Sequence, residues 1–169
     1  MNDFEPILII DSREQTPLFF PKLKTIRVGL TTGDYSIQGL ENYFAVERKS
    51  IADLVGCCVG ENRERFEREL MRLKGIDFRR LIIVGSREDV WQQRYHSNVN
   101  PRAVMGSIST WEIRYSLPVC WFANPAEASA QIESWAMYFV REFQKISEAF
   151  SKGIGSASVV NNEQKGITC

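Results

Sequence analysis

Three short apolar runs separated by helical patterns constrain the fold of this chain more than any other feature. The runs are PILIID at residues 6–11, RLIIVG at 80–85 and LPVCWFA at 117–123. Continuous apolar runs such as the first two, each ending in a charged or turn residue, are typical of strands buried on both faces. The third run predicts a further strand, so the chain is expected to build a sheet that is covered on both sides.

Helical segments lie between and after these strands. Ser50 can cap a helix that begins at Ile51, and Asn100 with Pro101 opens another. The predicted helices cover about residues 51–58, 62–74, 101–116 and 124–150. Strands that alternate with helices predict an α/β fold with a mixed central β-sheet flanked by helices.

The composition is that of one domain. With 169 residues, 44% of them hydrophobic, the chain can bury one core but not those of two full domains. We expect this domain to cover residues 1–150. Residues 151–169 turn to Gly, Ser, Asn and Lys, which predicts a flexible C-terminal tail.

Charge and cysteine content limit the partners and the compartment. The 21 basic and 21 acidic residues balance, which weighs against indiscriminate nucleic-acid binding but allows a local basic face. The four cysteines show no C-x-x-C spacing and are interpreted as reduced thiols of an intracellular protein. The N-terminal apolar run is too short for a signal peptide or a membrane span. We therefore expect a cytoplasmic protein with no membrane partner.

One segment carries the strongest functional signal, because a hairpin there would bring two acids together. A loop over residues 39–42 would join the strand patterns DYSIQ and YFAVE. In that register Asp34 pairs with Glu47, and directly paired residues on antiparallel strands share a face with Cβ atoms roughly 5 Å apart. Lys49 shares this face, whereas Arg48 points to the other. A slip of one residue would destroy the arrangement.

Two carboxylates at that separation repel each other unless a cation lies between them. A hard divalent ion such as Mg²⁺ suits this position, because it takes oxygen ligands from one or two carboxylates and leaves room for water and phosphate. A neighbouring lysine can orient or deprotonate the attacking water and stabilise developing negative charge. The pattern Asp-x12-Glu-x-Lys therefore predicts a metal-dependent site that cleaves phosphodiester bonds. The alternative is a solvated, charged hairpin end.

Two further features favour a site. Gly33, before Asp34, permits a tight turn or a close backbone approach. Asp11 and Glu14 follow the end of a buried strand, which is the usual location of sites in α/β sheets. The alternatives are a strand-terminating turn residue for Asp11 and a surface charge for Glu14.

Three motifs in this order resemble the XPF-type nuclease domain: DSRE at residues 11–14, GDY at 33–35 and VERKSIADL at 46–54. The family hallmark, G-D-x(n)-E-R-K-x-x-x-D, is matched at every position. The matching residues are Gly33, Asp34, Glu47, Arg48, Lys49 and Asp53. The resemblance extends over about residues 7–122, and RFEREL in the second helix is similar to the family's basic segment after the hallmark.

The resemblance implies a restriction-endonuclease-like fold and Mg²⁺- or Mn²⁺-dependent cleavage of DNA near junctions of single and double strands, leaving a 5′ phosphate. It also implies a helix-mediated dimer. The implied active centre contains Asp11, Asp34, Glu47, Arg48, Lys49 and Asp53. Of these, Asp11, Asp34 and Glu47 would bind the metal, and Lys49 would assist the attacking water.

Two departures from the family pattern concern the rest of the chain. Nothing after Phe150 could form the tandem helix-hairpin-helix domain with which eukaryotic and archaeal members usually grip duplex DNA. The second helix carries Glu69 where a glutamine is commonly found. The short chain therefore resembles a stand-alone bacterial or bacteriophage form more than a eukaryotic repair factor.

Two residues of the hallmark have alternative roles. Asp53 could cap its helix and do nothing else, a contribution of ~1 kcal/mol. Arg48 could anchor the hairpin to the core or reach a phosphate. Both alternatives stay open at the level of the sequence.

Arginines are the candidates for DNA contact. Arg65, Arg68 and Arg72 share one stripe of the second helix and could follow a phosphate backbone. The alternative is that glutamates one helical turn away neutralise them. Arg13, near the predicted metal site, is the candidate for holding the scissile phosphate.

The last predicted helix is apolar over most of its circumference, so it has to bury more than one face. Its main stripe consists of Ala128, Ile132, Trp135, Phe139, Phe143, Ile146 and Phe150. The helix could lie deep in the domain or form a two-fold interface with Trp135 and Tyr138 as anchors. We expect a homodimer through this helix, as the resemblance implies.

Three functions compete. The leading hypothesis is a metal-dependent, structure-specific DNA endonuclease of repair, recombination or replication. The second is a non-catalytic DNA-binding or scaffold protein with a nuclease-like fold, which predicts loss of one or more acidic ligands, and none is missing. The third, a small-molecule phosphate hydrolase, is disfavoured because the chain has no Gly-rich phosphate loop.

Overall fold

A computed structural model describes residues 5–155 of the chain and the side chains of residues 5–152. Its strands form one six-stranded sheet in the order β2-β1-β3-β4-β5-β6. The strands are β1 (Leu8–Asp11), β2 (Thr25–Val28), β3 (Tyr35–Ile37), β4 (Phe44–Ser50), β5 (Phe78–Val84) and β6 (Val119–Phe122). The pairs β1–β3 and β3–β4 are antiparallel, and the other three pairs are parallel. The predicted mixed sheet is confirmed.

Five helices flank the sheet in the described part of the chain. They are α1 (Ile51–Gly56), α2 (Gly60–Leu73), α3 (Arg87–Trp91), α4 (Pro101–Tyr115) and α5 (Pro125–Gly155). The predicted N-caps are correct, since the side chains of Ser50 and Asn100 accept backbone hydrogen bonds from Asp53 and Arg102. The sequence interpretation missed α3, a helix of only 5 residues with a capping box at its N-terminus.

The sheet separates two hydrophobic clusters. Alternate residues of β4 point to opposite faces, so Ala45 packs under α1, α2 and α4, whereas Val46 packs under α5. Trp111 and Phe66 meet edge to face in the first cluster, with ring centroids 5.0 Å apart. Ile132 lies in the second cluster and is fully buried. This two-sided burial explains why the central strands are apolar throughout.

The hairpin of β3 and β4 has the register that the sequence predicts. Tyr35 pairs with Val46, and the Asp34 N–H donates to the Val46 carbonyl at 2.9 Å. The same register places Asp34 opposite Glu47. Gly33 adopts a φ of 78°, and a Cβ there would lie 3.2 Å from the Val46 carbonyl oxygen. Both the turn and the close approach predicted for this glycine are therefore present.

Helix α5 extends farther than the sequence indicates. It continues to Gly155, past the predicted end near Phe150, even though Gly153 lies in this stretch. Residues 156–169, the rest of the predicted tail, lie outside the described residues. None of the helices that the structure describes has the length and apolar character needed to cross a membrane.

Candidate active site

A cleft of about 610 Å³ opens where β1 and β4 end and β3 begins, beside α1 and α2. Acidic, basic and polar side chains line most of it. The predicted site residues in its wall are Asp11, Arg13, Asp34, Glu47, Arg48, Lys49, Asp53 and Arg65. Residues that are far apart in the sequence therefore meet here, because the hairpin and the end of β1 lie side by side in the sheet.

Asp34 and Glu47 form the centre of the cleft. Glu47 is 4% exposed, and its Oε1 accepts a hydrogen bond of 2.6 Å from Lys49 Nζ. Asp34 Oδ2 accepts the backbone N–H of Arg48 at 2.7 Å. Lys49 Nζ also lies 4.9 Å from the centroid of the Phe66 ring, which covers it from α2. Two acids and one ammonium thus share one face of the hairpin, as the register predicts.

The two carboxyl groups are electrostatically strained. Burial raises the pKa of Asp34, and the Arg48 N–H and Lys49 offset this only in part. Burial also raises the pKa of Glu47, and repulsion from Asp34 raises it further. Both shifts favour protonation or the approach of a cation, because either one removes the repulsion between the two anions.

Lys49 remains an ammonium ion in this arrangement. Burial lowers the pKa of Lys49, but attraction to Glu47 outweighs burial and the net pKa is raised. Of the two roles predicted for this lysine, the geometry therefore favours orientation and charge stabilisation over proton abstraction.

Asp11 and Arg13 bind each other at the end of β1. Asp11 Oδ2 accepts from Arg13 Nε at 3.0 Å, and Arg13 Nη2 donates to the Leu30 carbonyl at 2.6 Å. Burial raises the pKa of the Asp11 carboxyl, but the hydrogen bonds from Arg13 outweigh burial and hold it below its usual value. Asp11, the predicted metal ligand, and Arg13, the predicted phosphate contact, thus form an ion pair with each other.

Arg48 anchors the hairpin, the first of its two predicted roles. Its Nη2 donates to Glu14 Oε1 at 3.2 Å and to Thr16 Oγ1 at 2.9 Å. The side chains of Arg48 and Glu14 are 12% and 9% exposed. The alternative that Glu14 is a surface charge is wrong, because the loop after β1 folds over it.

Asp53 lies at the rim of the cleft in the first turn of α1. Its carboxylate accepts a hydrogen bond of 2.6 Å from the hydroxyl of Ser50, whose Oγ in turn accepts the Asp53 N–H. The capping role is therefore present, and a part in catalysis stays a prediction.

The three arginines of α2 differ in their surroundings. Arg65 lines the cleft, whereas Arg68 and Arg72 lie outside its wall. Arg72 pairs with Glu69 at 2.7 Å, and no ion pair with a described residue neutralises Arg65 or Arg68. All three side chains are exposed. Arg65 and Arg68 are thus the free cations of the predicted stripe among the described residues.

Glu69 is the site residue that the sequence interpretation missed. Its Oε1 accepts hydrogen bonds from Thr32 Oγ1 at 2.9 Å and from the Gly33 N–H at 3.2 Å. It therefore holds the turn that delivers Asp34 into the cleft. One signal could have identified it: Glu69 lies four residues after Arg65, on the same face of α2.

The cleft fits a hard divalent cation through two acids. Within residues 5–152, no group of three or more His, Cys, Asp or Glu side chains converges closely enough to hold a metal ion. Asp34 and Glu47 nevertheless supply oxygen ligands of the right kind, and a bound cation would lower their pKa values, which burial raises. Asp11 does not join them while Arg13 occupies its carboxylate.

The ERCC4 domain model matches residues 10–134, a range that includes every residue of the cleft wall. The chain belongs to the ERCC4 domain family. Family membership supports a nuclease that acts on DNA, and the interpretation of the sequence as an XPF-type nuclease domain is confirmed. No curated protein sequence matches the chain.

Two solved structures are similar to this ERCC4 domain. XPF from Aeropyrum pernix is 20% identical, with a TM-score of 0.64 over 85% of this chain and 69% of that one. XPF from Aeropyrum pernix in complex with DNA is 20% identical, with a TM-score of 0.62 over 82% of this chain and 66% of that one. The alignments thus span about two thirds of those chains, and the similarity shows a shared fold.

Proposed function

We propose that this ERCC4 domain is a metal-dependent endonuclease that hydrolyses phosphodiester bonds in branched DNA or at junctions of single and double strands, in repair, recombination or replication. The observation that carries the proposal is the shared face of Asp34, Glu47 and Lys49 in an open, polar cleft. The match to the ERCC4 domain and the solved complex of a relative with DNA support DNA as the substrate.

Asp34 and Glu47 would hold Mg²⁺ or Mn²⁺. When bound, the cation would supply positive charge to the scissile phosphate and lower the pKa of the attacking water. The chain's own groups position the reaction: Glu47 holds the Lys49 ammonium in place, and Lys49 stabilises negative charge that develops on the phosphate. Asp11 would become a third ligand only after Arg13 releases it to contact a phosphate.

Arg65 and Arg68 would contact the DNA backbone beside the cleft. Both are exposed, and Arg65 lies in the cleft wall. Contacts of this kind position a nuclease on DNA and carry no sequence information. Such contacts suit a nuclease that recognises the shape of its DNA substrate and not its sequence.

The outer part of α5 would join two copies of the chain. Its core-facing stripe continues past the sheet, where Ile146 and Phe150 are each 70% exposed. Trp135 does not serve as the predicted anchor, because it packs inside the domain against Phe78 and Phe122. The exposed stripe, together with Tyr138, is therefore the surface that we assign to the dimer.

A cleavage assay tests the proposed activity. Labelled branched, single-stranded and duplex DNA would be incubated with the protein in Mg²⁺, in Mn²⁺ or in chelator. We expect cleavage of a branched substrate with metal and none with chelator, and Asp34→Asn should lower the rate at least ~100-fold because charge stabilisation at the phosphate is lost. Asp77 is an exposed acid directly before β5, at the edge of the sheet away from the cleft. Asp77→Asn is therefore the matched control and should cleave normally.

Two outcomes would contradict the proposal. Cleavage by Asp34→Asn at the wild-type rate would remove the proposed site. DNA binding without cleavage under every metal condition would favour the alternative of a non-catalytic DNA-binding or scaffold protein.

A further inference from the structure

The segment between the cleft and β3 is basic in a chain whose net charge is zero. Residues 15–33 contain Lys22, Lys24 and Arg27 and no Asp or Glu. All three cations are exposed, and neither lysine forms an ion pair with a described residue. Arg27 donates to the Glu14 carbonyl at 2.6 Å, which ties the segment to the loop at the cleft. This surface is complementary to a polyanion.

Phe19 projects from the same segment into solvent. It is 80% exposed, whereas its neighbours Leu18 and Phe20 are 5% and 7% exposed. An isolated exposed apolar residue is ordinary on a protein surface. An exposed aromatic ring within a cationic segment is more informative, because base stacking and phosphate attraction act together in single-strand binding.

Both residues next to Phe19 in the chain are held in place by Tyr35. The Leu18 N–H donates to the Tyr35 hydroxyl at 3.0 Å. The Phe20 ring meets the Tyr35 ring edge to face at a centroid distance of 5.3 Å. Tyr35 is fully buried and follows Asp34 directly. The position of Phe19 is thus coupled to the hairpin that forms the cleft.

The C-terminal side of the loop is fixed by a buried acid of α5. Glu133 is 2% exposed, and its Oε1 accepts the N–H groups of Lys22 at 2.7 Å and Leu23 at 3.1 Å. Pro17 and Pro21 restrict the backbone on either side of Phe19. Because the backbone on both sides is held in this way, only the side-chain rotation of Phe19 is lost when a ligand stacks on its ring.

Phe19 is also close to the cleft. Thr16 lines the cleft wall and accepts a hydrogen bond from Arg48. Three residues of chain span at most about 11 Å, so Phe19 lies within that distance of Thr16. A short extended single strand could therefore run from the Thr16 edge of the cleft to a base on Phe19.

We propose that Phe19 is a stacking platform for an unpaired DNA base next to the cleavage site, with Lys22 and Lys24 attracting the adjoining phosphates. The proposal rests on the proposed nuclease function and names the part of the substrate that lies beside the scissile bond. A paired base hides both of its faces in the duplex, whereas an unpaired base can stack on an aromatic ring. The platform therefore selects DNA that is single-stranded on one side of the cleft.

Binding measurements in chelator test this proposal without any cleavage. A single-stranded oligonucleotide with one 2-aminopurine and a blunt duplex of the same sequence serve as the probes, with anisotropy for affinity and 2-aminopurine quenching for stacking. Phe19→Ala should weaken single-strand binding about tenfold and abolish the quenching, leaving duplex binding unchanged. Phe19→Trp should keep both, and Ile113→Ala, which removes an 82% exposed apolar side chain from α4, should change neither.

Each other outcome overturns a defined part of the account. Equal loss of affinity for both DNAs, or no loss in Phe19→Ala, refutes the stacking platform. The proposed nuclease function is unaffected by a refuted platform if wild type still cleaves DNA and the cleavage depends on Asp34. If wild type binds neither probe, the platform fails, and the cleavage assay on branched DNA decides the proposed function separately.

Discussion

Burial of two acids against each other is the central feature at the scale of single residues. Strand pairing brings the half-buried Asp34 next to the buried Glu47, and water cannot fully screen their repulsion inside the cleft. Lys49 compensates part of this charge through a 2.6 Å hydrogen bond to Glu47. The rest of the repulsion is left for a cation or a proton to relieve.

This repulsion predicts a pH-dependent stability. The pKa values of Asp34 and Glu47 are higher in the folded protein than in the unfolded chain, so the folded state binds more protons. Their contribution to stability is present below the ordinary carboxyl pKa of ~4 and is lost as the pH rises through the folded pKa values. In chelator, the melting temperature should fall by roughly 2–6 °C between about pH 5 and about pH 8.

Two comparisons assign this pH dependence to the cleft. Asp34→Asn should flatten the melting profile, and Mg²⁺ should raise the melting temperature of wild type more at the higher pH than at the lower. Differential scanning calorimetry measures both. An equal effect of Mg²⁺ at both pH values, or an unchanged slope in Asp34→Asn, would show that other groups cause the dependence.

At the scale of secondary-structure elements, the turn before β3 decides where Asp34 lies. Gly33 has a φ of 78° and leaves only 3.2 Å between a Cβ and the Val46 carbonyl oxygen. Glu69 of α2 accepts a hydrogen bond from the Gly33 N–H, so the helix and the hairpin are connected at this turn. The geometry of the acid pair thus depends on backbone contacts as much as on side chains.

Two glycines with similar φ angles separate backbone strain from crowding. Gly33→Ala should lower the free energy of unfolding by about 2–3 kcal/mol, since it adds a close contact to the positive-φ strain. Gly39→Ala, with φ 81° and nothing within 4 Å of its Cβ, should cost only about 1 kcal/mol. Urea unfolding measures both, and equal losses would contradict the account of the turn.

Most elements were predictable from local sequence signals, although the short helix α3 was missed despite its capping box. The hairpin register followed from alternation and loop length, and the Tyr35–Val46 pair agrees with it. The partners of Glu14 and Glu69 were not predictable, because each contact joins residues more than 30 positions apart. The hydrogen bonds between Asp11 and Arg13 were not predicted either, although the two residues are only two positions apart, and a metal-binding role for Asp11 stays a prediction.

At the scale of the whole molecule, the two halves of α5 have different surroundings. Its first half covers the sheet through Ile132 and Val140, and its second half extends the same stripe beyond the sheet. Tyr43 at the hairpin loop touches Phe143 at a ring-centroid distance of 5.5 Å, where the covered part of the stripe ends. An apolar stripe that is left exposed by residues 5–152 suits a second copy related by a two-fold axis.

Charge placed on this stripe should separate the two copies of the proposed dimer. Ile146→Glu is expected to convert a dimer to a monomer, because a carboxylate would be buried in an apolar interface. Ser151→Glu adds the same charge to another side of the helix and should leave the dimer intact. Sedimentation velocity over a concentration series measures the state. A wild-type monomer at all concentrations would contradict the assignment of α5.

The most direct test of the central claim is the stoichiometry of Mn²⁺ binding to chelator-treated protein, measured by titration calorimetry on wild type and on Asp34→Asn. The acid pair formed by Asp34, just before β3, and Glu47 of β4 predicts one tight Mn²⁺ per chain in wild type. The variant should bind Mn²⁺ at least ~10-fold more weakly, because one of the two carboxylate ligands is gone. Equal affinity in the two proteins would contradict the claim that Asp34 and Glu47 together hold the metal.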